Sequence, residues 1–133
     1  MKRIVSILLL IPLAAALGFA DEASFNHVKV PNEKGKDVKA VLTFSDKDKA
    51  VEVRPAKGNP TTIPYDQIDK CAYEYSIGLM GEKENWLEIH YHEKDAPRVF
   101  VLLMDSQNYL RILDALKAHT GIDAQILGNA KKR

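Results

Sequence analysis

The sequence is poor in the residues that usually advertise chemistry. It holds one cysteine, Cys71, among 133 residues. No disulfide can form within such a chain, so its stability must come from a hydrophobic core. Charge of one sign is also missing: 19 Lys and Arg stand against 18 Asp and Glu. A nucleic-acid binder or a binder of anionic membranes would show a basic excess or stripe, and this chain shows neither. The terminal "KKR" is only three residues long and reads as a solvated tail. There is no G-x-S-x-G elbow, no internal repeat and no low-complexity segment. The commonest nucleophile signature is thereby removed.

What is present begins with "MKRIVSILLLIPLAAALGFADEA". Lys2 and Arg3 form a positive n-region, Ile4 to Leu17 a mostly apolar h-region, and Gly18-Phe19-Ala20 places small residues at −3 and −1 of a cleavage point before Asp21. This is the pattern of a secretory signal peptide over 1–20. The alternative is an uncleaved anchor, for which the apolar run is a little short against the roughly 20 residues a spanning helix needs. Cleavage leaves 113 residues, enough for one domain with a real core, and 17 basic residues against the 18 acidic ones. The expectation is an exported protein, periplasmic or secreted.

The remaining chain reads as strands and then a helix. Val38 to Phe44 and Ala50 to Arg54 flank the turn "SDKDK", and "TTIPYDQI" is a short extended piece followed by a turn. "CAYEYSIGLM" alternates with a period of two, placing Cys71, Tyr73, Tyr75, Ile77 and Leu79 on one face. "WLEIHYH" alternates in the same way. With "GEKEN" as the turn, Leu79 pairs with Leu87, Ile77 with Ile89 and Tyr75 with Tyr91. "RVFVLLMD" is apolar on both faces and is the third strand of this meander, with Val99, Val101 and Leu103 assigned to the same core. Asp105 or Ser106 caps a helix carrying Tyr109, Leu110, Leu113 and Leu116 on one stripe, with Ile112 beside it, and Gly121 ends it. The fold class is mainly β: a bent antiparallel β-sandwich or small barrel with one C-terminal amphipathic α-helix.

That element order, together with "TTIPYDQIDKCAYEYS", resembles the pleckstrin-homology-like superfold in its bacterial members, over roughly 36–121. Residues 21–35 then form an N-terminal segment and 122–133 a tail. The resemblance implies a binding module rather than an enzyme. The chain departs from the family pattern in two places. Tyr109 is the only aromatic of the helix, where a tryptophan is usual, and "SDKDK" lacks the basic excess of members that bind phosphoinositides. No specific membrane lipid is therefore expected.

The candidate sites follow from these faces. His90 and His92 share a strand face, and in the hairpin register above His92 lies opposite Glu74 and His90 opposite Ser76. Two imidazoles and a carboxylate, His90, His92 and Glu74, are the material of a zinc or copper site. The plainer reading is a polar strand face with a Glu74–His92 cross-strand pair. Ser76 beside His90 lacks an orienting acid, and Cys71 shares its face with tyrosines and reads as core. No cofactor and no catalytic residue are assigned. The favoured site is apolar instead: Met80, Trp86, Phe100, Leu102 and Met104 are placed on the histidine face, as a patch for a protein or peptide partner or for a second copy of the chain.

Overall fold

The computed structural model describes residues 22–127; the expected signal segment 1–20 and the terminal "KKR" lie outside them. Eight strands, β1 (Glu22–Pro31), β2 (Asp37–Ser45), β3 (Ala50–Pro55), β4 (Thr61–Pro64), β5 (Ile68–Ile77), β6 (Lys83–Glu93), β7 (Ala96–Met104) and β8 (Ala124–Leu127), are joined by one 3₁₀ turn (Tyr65–Gln67) and one α-helix, α1 (Tyr109–Thr120). They form a single sheet in the order β4-β3-β2-β1-β7-β6-β5-β8. The fold is mainly β with a single C-terminal helix, as the periodicity implies. It is wider than 36–121, however. The N-terminal segment supplies β1, paired to β2 from Glu22 to Pro31, and the tail supplies β8, paired in parallel to β5.

The sheet curls so that its two halves share one core. Leu42, Phe44, Val51 and Ile63 from β2 to β4 join Cys71, Leu87, Ile89 and Leu102 from β5 to β7, and Ile112 and Leu116 of α1 complete the cluster. Each such side chain, fully withdrawn from water, contributes roughly 1.5–3 kcal/mol. Helix α1 turns Ile112 and Leu116 inward and leaves Leu110 half exposed, so Leu110 does not belong to the apolar stripe it was expected to share. Gly121 ends the helix at φ +79°, with its N–H donating to the Lys117 carbonyl at 2.8 Å. An L side chain is disfavoured at that φ, which is why glycine is the common stop.

The β5–β6 hairpin exists, but its register differs from the expected one by six residues. Tyr75 faces Asn85, Tyr73 faces Leu87 and Cys71 faces Ile89. The turn is Gly78 to Glu82 rather than "GEKEN": the Gly78 N–H donates to the Glu82 carbonyl at 2.8 Å, and Gly81 takes φ +84°. A shift by an even number keeps every side chain on its face. Cys71, Tyr73, Leu87 and Ile89 are therefore buried as expected, while Leu79 leaves the core for the exposed turn.

The face assignment of β7 is corrected outright. Pairing with β6 sets Leu102 opposite Leu87 and Phe100 opposite Ile89. Leu102 and Met104 are buried and Phe100 packs against the core, whereas Val99 is 53% exposed. Both faces of this strand are apolar, so hydrophobicity alone could not choose between them. The choice was made by the two-residue turn at Lys94–Asp95, both at positive φ (51° and 70°), which joins Glu93 to Ala96 and sets the register.

Candidate functional site

The strand pairing disperses the expected apolar patch. Leu102 and Met104 lie in the core, Phe100 is half-buried beneath the sheet, Met80 sits at the exposed tip of the Gly78–Glu82 turn, and only Trp86 stands on the outer face. On that outer face the structure gives Trp86 different neighbours. Leu103 lies opposite Trp86, Val101 opposite Glu88, and Val99 opposite His90. Trp86, Val101 and Leu103 are half-buried and Val99 is exposed, so an apolar stripe runs along the solvent side of β6 and β7. Solvent faces of antiparallel sheets are normally polar. The stripe could have been found only by knowing the β7 register.

The histidines on this face are engaged locally. His90 Nε2–H donates to Glu88 Oε1 at 3.0 Å, and His92 Nδ1–H donates to Asp69 Oδ1 at 2.9 Å. Glu74 lies opposite Trp86, not opposite His92. The six-residue register difference thus separates the three residues of the metal alternative, and no group of three or more His, Cys, Asp or Glu suited to a metal occurs among the described residues. Ser76 lies opposite Glu84, to whose Oε1 it donates at 3.2 Å, and so is not the partner of His90. Cys71 is fully buried, and burial pushes its thiol up to about 12, which keeps it protonated and unreactive.

A second polar cluster lies where α1 ends. His119, only 11% exposed at its side chain, donates from Nδ1 to Asp46 Oδ1 at 2.9 Å and stacks on Phe44 at 5.8 Å. Tyr65 donates to the same carboxylate oxygen at 3.2 Å. Its hydroxyl is pushed well above the usual phenol range, first by burial and then by Asp46. The cluster ties the β2–β3 turn, the 3₁₀ turn and the helix C-terminus together. Sequence carried no signal for it, because its members are far apart in the chain.

Two depressions flank the junction of β1 with β7. That junction consists of Val28 opposite Met104 and Lys29 opposite Leu103. On one side a groove of about 370 Å³ opens where the strands part, lined by Val30, Pro31, Val53, Val99, Phe100 and Val101 among others and by no charged side chain. On the other side a wider depression of about 640 Å³ is ringed by Lys29, Lys39 and Lys83 together with Asp37, Glu82, Glu84 and Asp105. Its mixed charge selects no ion of either sign.

No protein-family model and no curated protein matches the chain. Among solved structures it is similar to the Spt16D–Pob3N heterodimer, with a TM-score of 0.55 and 14% identity over 84% of this chain and 62% of the other. The chain thus spans less than two thirds of that neighbour. At this identity the likeness concerns the fold alone.

Proposed function

We propose that the chain is an exported, non-catalytic module that binds a protein partner through the outer face of β6 and β7. The observation that carries this reading is the apolar stripe of Trp86, Leu103, Val101 and Val99 on the solvent side of the sheet. Contiguous apolar surface that the fold itself leaves open is the usual mark of an interaction site, and an aromatic anchor often dominates its energy. That the similar structure is itself a heterodimer agrees with a binding role. Export rests on the charged n-region and the small residues before Asp21.

Trp86→Ala tests the site. It should cost well under the ~3–5 kcal/mol of a core aromatic in denaturant unfolding, while weakening pull-down of the partner at least tenfold. A full core-sized loss of stability with unchanged association would overturn the reading. Mass spectrometry of exported protein should find a new N-terminus near Asp21, and recovery of the full-length chain alone, in membranes, would replace export by anchoring.

A further inference from the structure

We propose that the free edge of β7, from Pro97 to Leu102, takes up an extended, uncharged segment of the partner protein as an additional β-strand. The inference rests on the reading of the chain as a protein-binding module and adds the way in which the partner is held.

The first argument is the state of the backbone. β7 pairs with β6 along its whole length, from Ala96 to Met104. On its other side it meets β1 at Leu103 and Met104, and among the described residues no strand lies beside the rest of that edge. A row of open amides and carbonyls is matched by another peptide backbone, not by a lipid or a small apolar ligand. β1 cannot close the gap, because it ends there in Pro31, which has no N–H. Six residues of free edge span about 20 Å at roughly 3.3 Å per residue; alternate backbone groups face β6 and Pro97 has no N–H, so the open donors are the amides of Val99 and Val101, beside the carbonyls of Pro97, Val99 and Val101.

The second argument is the character of the groove beneath. Val30, Val53, Val99, Phe100 and Val101 line it without a charged side chain. A charged residue entering there would lose its water and gain no partner, so the inserted positions must be uncharged. Val99 and Val101 also belong to the outer stripe. Side chains of an added strand would alternate, one set lying against that stripe and the other over Phe100. Groove and stripe are in this way two sides of one binding edge. The chain itself shows that its sheet accepts such an addition: β8, four residues long, lies along β5 from Cys71 to Glu74.

The test begins with random octapeptides displayed on phage and selected against the purified chain. Enriched sequences are resynthesised with and without N-methylated alternate amides. The expected peptides carry uncharged, apolar residues at alternate positions and slow hydrogen exchange of the groove-facing β7 amides at least tenfold. They lose at least tenfold in affinity on N-methylation. Val99→Lys, at an exposed position, should weaken binding at least tenfold and leave the melting temperature unchanged. Protection of β4 or β8 in place of β7, tolerance of N-methylation, or failure to select any binder would overturn the proposal. The broader reading fails separately: if Trp86→Ala still weakens partner capture while the β7 amides exchange as before, the outer face binds and strand addition is wrong.

Discussion

Along β7, Phe100, Leu102 and Met104 alternate with Val99, Val101 and Leu103, two sets of nearly equal hydrophobicity with different fates. The first packs against Leu87, Ile89 and the helix; the second faces solvent. Hydrophobic content therefore does not decide which face is the core. Register decides it, and here register is set by the turn at Lys94–Asp95 and by pairing with an unambiguous neighbour, β6, whose inner residues alternate with Glu84, Glu88 and His90. A strand that is apolar on both sides supports a core with one face and remains available for association with the other.

The contrast is broken most forcefully at adjacent residues. Leu102→Ala empties a fully buried site and should cost roughly 2–5 kcal/mol in denaturant unfolding. Val101→Ala, one residue away, should cost less than about 1 kcal/mol. Equal losses would mean that the outer stripe is closed by the protein itself.

A smaller effect is expected where the inner face is sealed. His119→Ala removes the stack on Phe44 and the hydrogen bond to Asp46. The expected loss is about 2 kcal/mol, the scale of one aromatic pair plus one bond to a charged group after allowance for partial exposure. Thermal unfolding of His119→Ala beside wild type measures it, and an unchanged midpoint would show that the clamp contributes nothing.

The subtlest test uses Cys71. Burial raises its thiol from the ordinary 9.0 to about 12. Between those values the folded thiol keeps a proton that the unfolded chain has released, so its contribution is whole below about pH 9 and is lost as pH rises towards 12. The stability difference between wild type and Cys71→Ala should shrink from pH 7 to pH 10.5 in urea titrations. A constant difference would place Cys71 outside the core.

These results also show where sequence reading reached and where it stopped. The alternation in β5 and β6 identified the strands and the inward set Cys71, Tyr73, Leu87 and Ile89, because one polar face left a single solution. The hairpin register was not legible. Leu79 and Met80 look like strand residues, and only the glycines on either side, Gly78 and Gly81, reveal a turn. Sequence placed Trp86 on the outer face, but its neighbours there required the β7 pairing. The groove beside β7 is bordered by strands from opposite ends of the chain, so no local window contains it. β8 is four residues long and half exposed, too weak a pattern to separate from a tail.

The two-pair seam between β1 and β7 has a consequence in time. Val28 and Lys29 lie near the start of the described chain, and Met104 and Leu103 near its end. The halves of the sheet join only when these distant segments meet, and the two residue pairs of the seam do little by themselves to offset the entropy of so long a loop, so the shared core must form with them. The hairpins β2–β3, β5–β6 and β6–β7 need only neighbouring residues. Folding should therefore run in two tempos: rapid zipping of local hairpins, then a slower encounter that joins the halves.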